Sequence, residues 1–395
     1  MAKTYILKLK KNIIKEYIYT FLNSFNPIAT VWMLYLAFKG MSLTQIGILE
    51  AIFHIASFLM EVPTGAIADI YGRKASRILG RLMWVLSNIS MLFGNNFYQF
   101  AFAMALMALS YNLESGAGQA LLYDSLKEIK KDKEYMKIAG KIEVLTQIGM
   151  ISGYIFGGYL AKIKYELAFI NACILGLAAL FHSMTFVEPK IKEEHQIKTF
   201  KAVFKNAYES LLYLKNKVDV LYLIFFVEGI FVFGTVLFFY LQNYFFFIGF
   251  NQFEIGIIMA VSGLFGAFFS YLTHKIERKF GIRKILIVLP LIYALFSFGL
   301  ATKFPYIFNI LMSGITGILL IVYYDFVNKN IESDKRATIL SMCSMVYSFY
   351  MIILFPLFGK MADLIGFKVT FLLLSFIISL FGIFNVFINL KKIKF

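Results

Sequence analysis

The chain has 395 residues, of which 60% are hydrophobic and only 16% are charged. Because soluble domains average about 25% charged residues, this composition excludes an ordinary soluble protein and indicates that nearly all of the chain lies in a membrane. The formal net charge is +16, but the cations stand in short clusters between apolar runs, which argues against binding of nucleic acid. Cys173 and Cys343 lie inside apolar runs and the four histidines show no ligand spacing, so we predict no disulfide, metal or cofactor.

Continuous apolar runs predict an all-α polytopic membrane protein with twelve transmembrane helices. The approximate limits are 13–38, 44–68, 75–93, 97–124, 138–161, 166–187, 218–247, 253–274, 282–301, 304–327, 337–359 and 366–390. The first run is too long for a signal peptide and has no small-residue cleavage site near its end, so we interpret it as a retained helix.

Lysine and arginine alternate strongly from one connection to the next. They are frequent before the first span, after every even-numbered span and at the C-terminus, and scarce in the other connections. By the positive-inside rule, we expect a multi-pass protein of the cytoplasmic membrane with both termini in the cytoplasm.

The longest polar segment divides the spans six and six. It predicts an N-terminal six-helix bundle over 1–187, a cytoplasmic linker over 188–217 and a C-terminal six-helix bundle over 218–395. Apolar residues at helical spacing between 200 and 214 predict an amphipathic surface helix in the linker. Tyr123-Asp124 and Tyr324-Asp325 close corresponding spans of the two halves, which is typical of a transporter built from parallel repeats.

Glycine and charged residues stand at regular spacing around the end of the second span. Gly65 and Asp69 are four residues apart, and Gly72, Arg73 and Lys74 come directly afterwards. A span that ends in a carboxylate, a glycine and two cations predicts a short charged turn into the next span. The spacing resembles the signature loop between the second and third helices of the major facilitator superfamily. The alternative is an ordinary cytoplasmic loop.

The resemblance implies a transporter in which two six-helix bundles alternate in access around a mid-membrane site. It implies that Asp69, Arg73 and Lys74 hold one state by cytoplasmic contacts between the bundles. Asp124 and Asp325 are interpreted as gate or capping charges beside the cations that follow them. Ile70 departs from the family pattern, which has a basic residue there, so one ion-pair partner of the family is missing.

Small residues recur along the fifth span. Gly140 is followed by Gly149, Gly153 and the pair Gly157-Gly158. The spacing resembles the glycine-rich motif of facilitator-superfamily antiporters, although Tyr154 replaces its proline. We interpret the glycines as a closely packed face between the bundles; the alternative is simple packing of small residues between helices.

One stripe of the second span is too polar to face lipid. It carries Glu50, His54, Ser57, Glu61, Gly65 and Asp69. Glu50 and His54 are candidates for a proton-titrating pair or for a satisfied polar contact, and Glu61 for a structural pair in the gate.

The resemblance implies that the first, fourth, seventh and tenth helices line the cavity. These spans supply polar candidates for binding: Asn23, Asn26, Tyr111, Glu114, Glu228, Tyr323 and Tyr324. Glu114 and Glu228 are the strongest candidates for a proton-coupling carboxylate or a cation ligand, because buried acids are costly and therefore functional by default. A structural hydrogen-bonding role is the alternative for each.

These features together predict a secondary active transporter that exports a small amphipathic or cationic compound in exchange for protons. Uptake by proton symport is the alternative, followed by a non-transporting membrane enzyme or receptor. No nucleophile with a base and no phosphate-binding loop occurs in the sequence, so we predict that the protein is not an enzyme. Its expected partners are a small-molecule substrate, protons and the lipid bilayer, and we expect a monomer.

The predicted orientation has a direct test. Cysteines introduced at Asn95 and Asn251 should react with an impermeant reagent added outside intact cells, because both positions lie in cation-poor connections. Cysteines at Lys131 and Lys201 should stay unlabelled. Reversed labelling would overturn both the orientation and the cytoplasmic position of the signature loop.

Overall fold

The computed structural model describes residues 2–190, 212, 214–215, 217–332 and 336–391, and these residues hold helices and no β-strand. The linker helix predicted between 200 and 214 and the labelling position Lys201 lie outside this range. The α-helices are α1 Ala2–Ser24, α2 Trp32–Phe38, α3 Leu43–Tyr71, α4 Arg73–Phe93, α5 Phe97–Glu114, α6 Ala117–Glu128, α7 Tyr135–Ile163, α8 Tyr165–Met184, α9 Val218–Phe247, α10 Gln252–Phe280, α11 Ile282–Phe298, α12 Pro305–Asn330, α13 Arg336–Ile365 and α14 Phe367–Lys391.

Nine helices of the described chain are long and apolar enough to cross a bilayer. They correspond to the predicted second span and to the fifth through twelfth spans. The first, third and fourth predicted spans do not meet this apolar criterion. The first and fourth predicted spans are interrupted. The third predicted span lies on α4, whose first nine residues include four cations, Arg73, Lys74, Arg77 and Arg81.

The first predicted span, 13–38, is not one helix. The chain leaves α1 after Ser24 and becomes helical again at Trp32. Pro27 has no backbone N–H and cannot sit in a helix interior without loss of a hydrogen bond. The Asn26 side chain closes the turn by accepting a hydrogen bond from the Ile28 N–H at 3.2 Å. The structure therefore corrects the continuous first span and places Asn26 in the interruption.

The fourth predicted span, 97–124, is also interrupted. Helix α5 ends at Glu114 and α6 starts at Ala117. Between them Gly116 has φ = +75°, a left-handed conformation that glycine adopts without steric cost. Discontinuous transmembrane helices place polar backbone and side chains at membrane depth, where transporters bind their substrates.

The glycine face of α7 packs against the interruption of the first span. A Cβ added to Gly153 would lie 2.7 Å from the Asn26 nitrogen, and one added to Gly157 would lie 1.9 Å from the Pro27 carbonyl oxygen. Gly149 meets the end of α1 in the same way. The expectation that these glycines face the other bundle is corrected: three of them seat α7 on residues 21–27.

Contacts group the chain into two units, one within Met1–Tyr35 and Ile52–Phe200, the other within Leu36–Ala51 and Lys201–Phe395. The predicted boundaries at 187 and 218 stay a prediction. The structure adds that the segment 36–51, which includes the start of α3, is grouped with the second unit. Its anchor there is Asp363, whose carboxylate accepts hydrogen bonds from the Leu43 and Thr44 N–H groups at 3.1 and 2.8 Å.

Helix α9 is the most buried candidate span in the described part of the second unit. In its most apolar stretch 72% of the residues are buried, compared with 33–44% for the other candidate spans. Aromatic rings of neighbouring helices cover it, such as Phe381, which stacks on Phe226 at 4.8 Å between centroids. A polar residue on α9 is therefore enclosed by protein.

The glycine face gives a stability prediction with a matched control on the same helix. Gly157→Ala should destabilise the protein by about 1–3 kcal/mol, because the new methyl group must displace the Pro27 backbone. Gly140→Ala should be neutral or stabilising by up to about 1 kcal/mol, because nothing lies within 4 Å and alanine favours a helix. Thermal unfolding in detergent micelles measures both. Equal midpoints for the two variants would contradict the packing.

Candidate functional site

A buried ion pair joins α1 to α4 in the first unit. Both nitrogens of the Arg77 guanidinium fork contact the Glu16 carboxylate, with Nη1–Oε2 at 2.6 Å and Nη2–Oε1 at 3.0 Å. Arg77 is 2% exposed and Glu16 is 6% exposed. The guanidinium also lies over the rings of Tyr19, at 3.8 Å, and Phe186, at 4.9 Å. Bidentate geometry with cation–π contacts is what makes a buried arginine tolerable.

Glu114 adds a second carboxylate to this pair. It is the last residue of α5, so the interruption of the fourth span places it beside α4. The Tyr19 hydroxyl donates a hydrogen bond to Glu114 Oε1. Arg81 Nε lies 3.6 Å and Arg77 Nε 3.9 Å from the carboxylate oxygens. Both distances are too long for a hydrogen bond, so the ion pairs to Glu114 are electrostatic contacts only.

We call Glu16, Tyr19, Arg77, Arg81 and Glu114 the charge cluster. Its two arginines and two glutamates balance in charge. Side-chain exposure rises from 3% for Arg77 to 14% for Glu114, so solvent is nearest to the cluster at Glu114. A neutral cluster of paired charges holds α1, α4 and the end of α5 together.

Sequence reasoning identified Glu114 and missed the other members of the cluster. Arg77 and Arg81 were grouped with the cytoplasmic cations, although the structure buries both. The available signal was their spacing: Arg73, Arg77 and Arg81 recur every four residues and so lie on one face of α4. Glu16 stands among lysines in the sequence, and nothing there marks it as buried.

The signature loop is tied down inside the first unit. Arg73 forms an ion pair with Asp124 of α6. The Glu188 carboxylate accepts hydrogen bonds from the Arg73 N–H at 2.9 Å and the Lys74 N–H at 2.8 Å, and so caps α4. Among the described residues, none forms a hydrogen bond or an ion pair with the Asp69 carboxylate. The capping role of Glu188 was not predicted, because it depends on a residue 115 positions away.

Gly72 directly precedes α4 and has φ = +96°. A Cβ at this position would meet the Glu188 carboxylate at 2.8 Å. The glycine of the signature is therefore required twice, by the backbone conformation and by the approach of the capping carboxylate.

In the second unit, Glu228 lies on α9 and is 3% exposed. The Tyr323 hydroxyl of α12 donates a hydrogen bond to Glu228 Oε1 at 3.0 Å and lies 3.3 Å from the Cys343 sulfur. The Phe231 ring packs edge-on against Tyr323 at 5.8 Å. Within the described residues no cation pairs with Glu228, so its surroundings differ in kind from those of Glu114.

The remaining predicted site residues do not form one cluster. Glu50 and His54 are buried, at 8% and 7% exposure, whereas the Glu61 side chain is exposed. Ser57 donates a hydrogen bond to the Asn112 side chain of α5 at 2.7 Å. The second-span stripe is thus buried at one end and open at the other.

Three further candidates occupy different surroundings. Asn23 is half-buried near the end of α1, and Tyr111 is 63% exposed with its ring against Phe53. Asp325 pairs with Lys329 at 2.5 Å on the partly exposed end of α12. An exposed pair of this kind adds little stability, and the gate or capping role of Asp325 stays a prediction.

Comparison with known proteins gives the same family throughout. A profile of the Major Facilitator Superfamily matches residues 17–349. The chain is 28% identical over 260 residues to YxaM of Bacillus subtilis, described as an MFS-type transporter, covering 65% of this chain and 63% of that protein. It is 22% identical over 255 residues to the quinolone resistance protein NorA of Staphylococcus aureus, covering 64% and 63%. The match thus spans 63% of the length of each relative.

Two solved structures have a similar fold. The D-xylose-proton symporter matches with a TM-score of 0.74 at 14% identity, over 99% of this chain and 98% of that one. The nucleoside transporter NupG matches with a TM-score of 0.75 at 15% identity, over 98% and 100%. These likenesses confirm the predicted fold class, twelve transmembrane helices in two six-helix bundles.

The Arg77–Glu16 pair gives a second stability prediction. Glu16→Gln should destabilise the protein by about 3–5 kcal/mol, because it leaves the Arg77 charge buried and poorly paired. Adding Arg77→Gln should cost less than the sum of the single changes, since the unpaired charge is then gone. Glu143→Gln on the exposed face of α7 is the control, expected within about 0.5 kcal/mol of the parent. Additive losses in denaturant unfolding would contradict the pair.

Proposed function

The chain belongs to the Major Facilitator Superfamily, a family of membrane transporters and not of enzymes, and from this premise we propose that it exports a small organic cation in exchange for protons. Both termini lie in the cytoplasm in this proposal, as the cation asymmetry predicts, and the two units alternate in access to the substrate. The observation that carries the proposal is the environment of Glu228.

Glu228 is a carboxyl group without a countercharge among the described residues. Burial disfavours the charged form of an acid, so the uncharged acid is favoured at this position unless a cation comes close. A proton and a cationic substrate can each neutralise the same carboxylate, but not both together. Mutually exclusive neutralisation is the requirement for exchange, because each entering ligand displaces the other.

The neighbours of Glu228 support a cationic aromatic or amphipathic substrate. Tyr323 and Phe231 place aromatic rings beside the carboxyl group, and aromatic faces attract organic cations. The second unit has many such rings along α9. The relative named for quinolone resistance also favours export of a foreign compound over uptake of a nutrient.

Transport in liposomes tests the direction. Purified protein is reconstituted into vesicles with an acidic interior, and accumulation of ethidium and other organic cations is followed together with the internal pH. Exchange predicts that cations enter while protons leave. Movement of both in the same direction would support symport and overturn the proposal.

Glu228→Gln tests the coupling residue. The amide keeps the shape and the hydrogen bond from Tyr323 but cannot bind a proton, so accumulation driven by the pH gradient should fall to background. Counterflow between equal substrate pools should persist at higher substrate concentrations, because the aromatic rings still bind the cation after the charge is lost. Glu332→Gln, a change at an exposed carboxylate, is the control and should keep both activities. Gradient-driven accumulation by Glu228→Gln at the parental rate would place the coupling group elsewhere.

A further inference from the structure

Both arginines of the charge cluster have a buried Nε without a hydrogen-bond partner among the described residues, and Arg81 is the less satisfied of the two. Arg81 is 5% exposed, yet its Nε has no hydrogen-bond partner among the described residues. Its ion-pair partner is Glu114 at 3.6 Å, and its other contact is the Trp84 ring at 5.4 Å. Arg77 in the same cluster holds Glu16 at 2.6 and 3.0 Å. A buried guanidinium that lacks hydrogen bonds loses hydration without compensation, so Arg81 has capacity for a better anionic partner.

The backbone next to Arg77, at the start of α6, also favours an anion. Helix α6 has 12 residues and begins at the interruption, directly after Gly116, with no side chain capping its first N–H groups. A Cβ on Gly118 would lie 3.3 Å from the Arg77 guanidinium carbon, so the start of α6 adjoins the cluster. Uncapped N–H groups and the positive end of the helix dipole attract negative charge.

We propose that Arg77 and Arg81, whose Nε groups both lie near Glu114, form a binding site beside the start of α6 for a ligand that carries a carboxylate, and that the Glu114 carboxylate occupies this site when the ligand is absent. The ligand class follows from the present occupant, which is itself a carboxylate, and from the planar guanidinium fork that matches one. The site lies wholly within the first unit and does not depend on the direction of transport.

Glu114 is suited to leave the site. It is the most exposed charged member of the cluster, and its ion pairs are the longest. It is followed by Ser115 and Gly116 in the non-helical link, so it can turn toward its exposed side without unwinding α5. Gly80 gives its side chain room, since a Cβ there would lie 3.2 Å from Glu114 Cγ. An entering carboxylate then replaces Glu114 charge for charge.

The chain carries its own probe for this exchange. It has two tryptophans, and Trp84 lies against Arg81. Trp32→Phe leaves Trp84 as the single reporter, so its fluorescence can be followed in detergent micelles while sodium acetate is added. Acetamide, which has the same size and no charge, is the matched control ligand.

We expect a saturable fluorescence change with acetate and none with acetamide. In the Trp32→Phe background, Glu114→Gln should lower the half-saturating acetate concentration by about tenfold, because the competing internal carboxylate is gone. Glu114→Ala should act in the same direction, and Glu114→Gln decides if the alanine variant does not fold.

Arg81→Gln should abolish the acetate response in every background. An acetate response that survives Arg81→Gln would overturn the proposal, as would equal half-saturation with and without the Glu114 carboxylate. Both results concern binding at the first unit and leave the exchange at Glu228 untouched, so failure of one proposal is distinguishable from failure of the other.

Discussion

The bidentate pair of Arg77 and Glu16 is the interaction on which the first unit depends. It brings charged side chains of α1 and α4 together at a depth where an unpaired charge would be expensive, and it fixes the position of the other charges of the cluster. The Tyr19 ring lies against the Arg77 guanidinium, and its hydroxyl donates a hydrogen bond to Glu114, the last residue of α5. The interruption of the fourth span and the pair on α4 are therefore parts of one arrangement.

Glu114 and Glu228, the two strongest candidate acids in the sequence, have different surroundings. Glu114 faces two arginines, whereas Glu228 has a phenol, a thiol and aromatic rings around it and no described cation. A carboxylate in an ion-pair cluster cannot change its charge without disturbing the other members of the cluster. An unpaired buried acid can do so with little rearrangement. These different surroundings are the basis on which we propose ligand exchange at Glu114 and proton exchange at Glu228.

Much of the fold could be predicted from the sequence, because apolar length and the distribution of cations are imposed directly by the bilayer. The interruptions were harder. Pro27 and Gly116 were available as signals of the interruptions. Each lies inside an apolar run that is long enough for one helix, so the length of the run predicted a continuous span. The partners of Glu114, Arg73 and the α4 N-terminus come from distant positions, and a single sequence does not show which distant residues meet. The buried face of α4 was overlooked because arginines near a predicted helix end are usually solvated.

The central claim of the proposed exchange is that Glu228, and not Glu114, takes up the proton and gives it up to a cation. Infrared difference spectroscopy of the purified protein measures the stretching band of protonated carboxyl groups directly. The account predicts such a band at neutral pH that disappears on addition of a transported cation, is absent from Glu228→Gln and persists in Glu114→Gln. A band that survives in Glu228→Gln and vanishes in Glu114→Gln would contradict it.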